Sequence, residues 1–98
     1  MWHGMSFKLR FKEQALQEWR DLEPNVREQF AKKLLALKDN PHVESAKLSG
    51  LKNCYKIKLH KAGFRLVYEV RDQALIILVV AIGKRERNAV YKSAAKRL

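Results

Sequence analysis

The segment that most limits what this chain can fold into is Leu75 to Ile82, eight consecutive apolar residues, most of them β-branched. A run of this kind, closed by Gly83 and preceded by Arg71-Asp72-Gln73, reads as a central strand covered on both faces. The fold must therefore place a layer on each side of a sheet. Just upstream, Tyr55 to His60 alternates apolar and polar residues, the period of a strand with one buried face. Lys61-Ala62-Gly63 fits a three-residue hairpin loop with glycine in the left-handed position. Phe64 to Val70 is then the partner strand, and Arg71-Asp72-Gln73 the next turn.

The first half of the chain supplies the helices. Phe7 to Phe11 alternates and reads as a half-buried strand. Ala15, Leu16, Trp19 and Leu22 share one helical face. A second helix starts near Glu23 or Pro24, where proline suits the first turn. It carries the stripe Val26, Phe30, Leu34 and Leu37 and stops at Asp39-Asn40-Pro41. Arg85 to Leu98 reads as a last helix with Val90, Ala94 and Leu98 on one face. The expected order is β-α-α-β-β-β-α: an α+β fold with an antiparallel-dominated four-stranded sheet, an N-terminal helical hairpin and a C-terminal helix. At 98 residues the chain is expected to be a single domain spanning 1–98. Met5 is a candidate start, with residues 1–4 an extension.

Charge gives the first functional clue. The formal net charge is +11. Residues 1–50 hold nine basic and seven acidic side chains, and residues 51–98 hold twelve and three. One basic surface is expected, suited to polyanions through counterion release. No continuous polybasic run or membrane-length apolar stretch points to a membrane. The lone Cys54 cannot form an intrachain disulfide and fits a reducing cytoplasm as a packed small residue. His3, His42 and His60 lie in separate elements without metal-ligand spacing, so neither a metal nor a cofactor is expected.

Within this basic half, Tyr55, Ile57 and Leu59 should face the helices, which turns Lys56, Lys58 and His60 to the other face. Alternate residues on a strand stand about 6.5 Å apart. Two ammonium groups that close disfavour each other's charge, one route to a lysine base. The plain alternative is a solvated lysine face. Arg65, just beyond the hairpin turn, can join this face. Lys84, Arg85 and Arg87 cluster where the last strand should meet helix N-terminal amides, a setting that favours phosphate. Arg87 is also expected to pair with Glu86 or Asp72. Tyr91 either stacks on a base or fills a gap between helix and sheet. Tyr68 and Trp19 belong to the core or its edge.

These segments resemble the RelE family of toxins. The resemblance rests on Lys47 to Leu59, Gly63 to Tyr68, Val80 to Arg87, Val90-Tyr91 and the early Ala15 to Trp19, in matching order and separation from Met5 onward. It implies a metal-independent endoribonuclease that cuts messenger RNA in the ribosomal A site. The RNA's 2′-OH attacks the adjacent phosphate and leaves a 2′,3′-cyclic phosphate. It further implies a RelB-type antitoxin as partner, and operator DNA bound only through the antitoxin complex. The family's active residues fall on Lys56, Lys58, Arg65, Arg85 and Tyr91, with His60, Lys61, Lys84 and Arg87 expected to support RNA binding. His60 departs from the arginine of relatives. The Glu and His pair of some ribosome-dependent cousins has no counterpart. The alternative function is a non-catalytic RNA- or DNA-binding module in an operon-repressor complex.

Overall fold

A computed structural model describes residues 6–98; the possible extension at 1–4 and the start at Met5 lie outside the described residues. The elements are β1 (Lys8–Phe11), α1 (Glu13–Asp21), α2 (Pro24–Ala36), a 3₁₀ turn (Glu44–Ala46), β2 (Cys54–Leu59), β3 (Phe64–Arg71), β4 (Ile76–Lys84) and α3 (Ala89–Arg97). This is the expected β-α-α-β-β-β-α order. The sheet runs β1-β4-β3-β2. β2, β3 and β4 pair antiparallel, whereas β1 lies parallel to β4, so the sheet is mixed. β4 is interior, as its unbroken apolar run requires.

Each face of the sheet has its own packed layer. Ala15 of α1 and Val26, Phe30 and Leu34 of α2 close over Tyr55, Ile57, Leu59, Leu66, Ile77 and Val79. Their spacing puts them on one stripe per helix. Arg27 Nη1 donates to Leu22 O at 2.9 Å, which satisfies a carbonyl at the end of α1. Tyr68 stacks on Tyr55 with centroids 5.4 Å apart and donates its hydroxyl to Pro41 O at 2.9 Å. On the opposite face, Val90 and Ala94 of α3 pack on Cys54, Val67, Leu78 and Val80. Leu98, expected on that face, is 47% exposed because α3 ends at Arg97.

A bulge divides β4. Val67 is opposite Ala81 but Tyr68 is opposite Val79, leaving Val80 as the extra residue. Val80 and Ala81 therefore both face α3, and the alternation changes phase beyond them. Ile82 turns toward the helical hairpin and Gly83 toward α3. A Cβ at Gly83 would stand 3.1 Å from Val90 Cγ2, so glycine there permits the close approach of α3.

Three local expectations change. β2 closes with Leu59 opposite Phe64, so the hairpin loop is His60 to Gly63, four residues rather than three. Gly63 is left-handed as expected (φ +72°), and its N–H donates to Leu59 O at 2.8 Å. His60 accordingly sits in the loop, not on the strand's lysine face. The last helix starts at Ala89 instead of Arg85, because β4 continues to Lys84 and positive φ at Arg87 and Asn88 interrupts a helical run. Arg87 makes no ion pair among the described residues: Asp72 is 2.8 Å from His42, and Arg71 holds Glu69 at 2.9 Å.

Candidate active site

The inward set Tyr55, Ile57 and Leu59 fixes the phase of β2, which puts half-buried Lys56 and exposed Lys58 on the other face. Lys58 is directly opposite Arg65, and Arg65 is opposite Gly83. Glycine at that position lets α3 pack close to the sheet beside the arginine. Beyond β4, the Arg85 N–H donates to Gly63 O at 2.7 Å and fastens the β4–α3 segment to the hairpin loop. Arg87 (φ 40°) and Asn88 (φ 63°) then reverse the chain into α3. Left-handed residues other than glycine cost of order 1–3 kcal/mol each and tend to collect at functional sites.

The result is a cleft of about 200 Å³ lined by Lys58, Arg65, Lys84, Arg85, Arg87 and Tyr91. Lys56 lines an adjoining groove on the far side of Tyr91, so both spaces share that ring. His60 and Lys61 stay exposed in the hairpin loop and do not line the cleft. Arg65 is only 8% exposed, yet it has no carboxylate partner among the described residues. Its Nη1 donates to Phe64 O at 3.1 Å. A guanidinium withdrawn from water without a counter-ion is costly, and an anion in the cleft offsets that cost.

Two further polar residues line the cleft that the sequence pattern does not single out for the site, Glu86 and Asn88. Glu86 is the one carboxylate among the lining residues, one of the two partners, with Asp72, that the sequence offers Arg87. Its position inside the Lys84 to Arg87 run was the available signal. For Asn88, the signal was the residue type, since asparagine tolerates the left-handed region better than most residues.

A family model described as the ParE toxin of type II toxin–antitoxin systems matches residues 9–89. The mRNA interferase toxin RelE of Escherichia coli strain K12 is 49% identical over 94 residues, 96% of this chain and 99% of that one. The chain belongs to the RelE toxin family. A solved structure of an Escherichia coli RelE double mutant in the free state superimposes with a TM-score of 0.89 at 47% identity, covering 96% of this chain and 99% of that one. The RelE chain from the intact Escherichia coli RelBE toxin–antitoxin complex gives 0.81 at 48%, covering 84% and 100%.

Behind the cleft, this RelE-family fold is braced by a contact between α1 and α3. Past Phe11, β1 no longer covers its edge of β4. Glu18 Oε1 accepts from Ile82 N–H at 3.0 Å, and Arg97 Nη1 donates to Val80 O at 2.9 Å. The two side chains also bond each other, Nη1 to Oε1 at 2.8 Å and Nη2 to Oε2 at 3.0 Å. Donating hydrogen bonds to Glu18, and the charge of that carboxylate, push the Arg97 guanidinium upward from its ordinary pKa, against the opposing effect of burial.

Proposed function

We propose that this protein is the toxin of a type II toxin–antitoxin system and cleaves messenger RNA in the ribosomal A site. The single observation that carries the reading is Arg65, nearly buried without a counter-ion and flanked by Lys58 and Arg85 in one cleft. Family membership and the activity named for the Escherichia coli relative support the same choice.

Attack of a 2′-OH on phosphorus needs a base, charge to stabilise the phosphorane and protonation of the leaving 5′-oxygen. Lys58 or Lys56 takes the hydroxyl proton, and the other holds charge. Arg65 faces the phosphorane oxygens from within the cleft. Arg85 stands on the leaving-group side, where its charge stabilises the departing 5′-oxide until water supplies the proton, since an arginine with a pKa above about 12 is a poor acid near neutrality. Tyr91, at the mouth shared by the two spaces, stacks a base. Lys84 and Arg87 attract the flanking phosphates, and His60 and Lys61 extend the basic rim. The chemistry requires no metal. The ribosome supplies what the cleft lacks, an RNA bent into line for attack.

A RelB-type antitoxin holds the toxin inactive, and operator DNA is bound only through that assembly; the solved Escherichia coli RelBE complex supports such a partner. The working compartment is the cytoplasm, and the chain acts as one domain. The test is incubation with programmed ribosomes, followed by analysis of the RNA ends. A 2′,3′-cyclic phosphate is expected, with a loss of at least about 100-fold in Arg85→Ala and in Arg65→Ala, the scale of removing one transition-state donor. Folded variants that cut at the wild-type rate, or binding without any product, would overturn the reading.

A further inference from the structure

A cleft of about 200 Å³ accepts one phosphate and its sugar but not the neighbouring nucleotides, since even small-molecule sites run from about 300 Å³ upward. An RNA strand bound there must leave along the surface, and three hollows adjoin the cleft. The first, beyond Lys58, carries Lys33 and Lys56 but has no ring free to stack a base, because its Tyr68 is buried in the core. Two remain. One, reached past Lys84 and Gly83, is bordered by Glu18, Asp21 and Glu23. Those carboxylates repel a phosphate backbone. The other is the groove of about 550 Å³ beyond Tyr91, between the 47–51 loop and α3. Lys47, Lys56 and Lys92 line it and no carboxylate does, while Leu48 and Leu51 give it apolar surface.

We infer that this groove is a second nucleotide subsite, which holds the unpaired RNA continuing from the scissile linkage. The inference rests on the nuclease reading and adds where the strand runs. A basic track combined with an aromatic ring is how single strands are held without base pairing. Tyr91 and Asn88 line both spaces, so a strand can pass from one to the other along a continuous wall. The outer wall is held in place. Lys47 bridges Tyr55, the Leu48 N–H donates to Cys54 O at 2.9 Å, and the Cys54 N–H donates to Leu51 O at 3.3 Å. The phosphates meet Lys47 and Lys92, and a base lies against Tyr91 and the leucines.

The test uses the full chain and 2′-O-methyl RNA oligonucleotides, which cannot react through a 2′-OH. Affinity is read by fluorescence anisotropy over a series of salt concentrations. For a hexanucleotide, Lys47→Gln/Lys92→Gln is expected to reduce the salt slope by about 1.4, from roughly 0.7 per phosphate contact on a single strand. Binding of a dinucleotide should stay unchanged. Lys8→Gln/Lys32→Gln removes the same charge away from the groove and should leave the hexanucleotide slope intact. An equal loss in that control, an unaltered slope in the groove variant, or tighter binding of a duplex than of the single strand overturns the inference. Cleavage of programmed ribosomes decides the nuclease reading separately, so the two failures are distinguishable.

Discussion

Replacing Glu18 with alanine is expected to destabilise the protein well beyond the range of an ordinary surface substitution. The carboxylate accepts three hydrogen bonds, from Ile82 N–H and from both Arg97 amino groups. Hydrogen bonds to charged groups contribute about 1.5–3 kcal/mol each. The two side chains are 32% and 15% exposed, so water screens the pair and the lower end of that range applies. Truncation leaves the Ile82 N–H without its acceptor where β1 no longer covers β4, and leaves Arg97 held only by Val80 O. A total of about 2–3 kcal/mol follows, discounting the overlap among three bonds to one group. For a domain of this size, 1 kcal/mol moves the melting temperature by roughly 4–8 °C, so a fall of roughly 10–20 °C is expected. Arg97→Met should cost less, about 1–2 kcal/mol, because Glu18 keeps its bond to Ile82. Urea unfolding of both single variants and the double variant gives the coupling, expected at about 1–2 kcal/mol. A Glu18→Ala loss within about 0.5 kcal/mol, or strictly additive variants, would refute the reasoning.

Burial, and next the charge of Glu69, pushes the Cys54 thiol up to about 11. The folded state therefore keeps a proton that the unfolded chain releases near its ordinary value. This contribution to stability is whole below about pH 9 and is lost as the pH rises toward 11. By linkage it amounts to roughly 2–3 kcal/mol, absent from the pH slope of Cys54→Ala in parallel denaturation curves. Tyr68→Phe should cost about 1 kcal/mol, the net worth of one hydrogen bond, since Pro41 O keeps the Val43 N–H at 3.1 Å; an unchanged melting temperature would contradict the bond. In Gly83→Ala the new methyl meets Val90 at 3.1 Å, so α3 must shift. A loss of about 1–3 kcal/mol, of the overpacking kind, is expected, with a larger fall in cleavage than in stability because Tyr91 travels with the helix.

The amino-acid sequence determined the periodic parts of this protein. The alternation of Tyr55, Ile57 and Leu59 sets which face of β2 is buried, so Lys56 and Lys58 could be assigned to the other face without coordinates. The stripe Val26, Phe30 and Leu34 and the fully apolar β4 likewise state their own burial. Such patterns record how much of each side chain leaves water, and that is local information. They do not say what lies opposite. Leu75 to Ile82 has no polar residue to mark its phase, so only pairing with β3 reveals the bulge at Val80 and the direction of Ile82 and Gly83. The start of α3 moved for a similar reason. Residues Arg85 to Asn88 have acceptable helix propensities, but the bond from Arg85 to Gly63 and the left-handed turn at Arg87 and Asn88 override them. Glu18 and Arg97 are 79 positions apart and carry no periodic signal. Their bond exists because β1 stops short and leaves polar groups of β4 to be satisfied, a demand that arises only once the sheet is assembled.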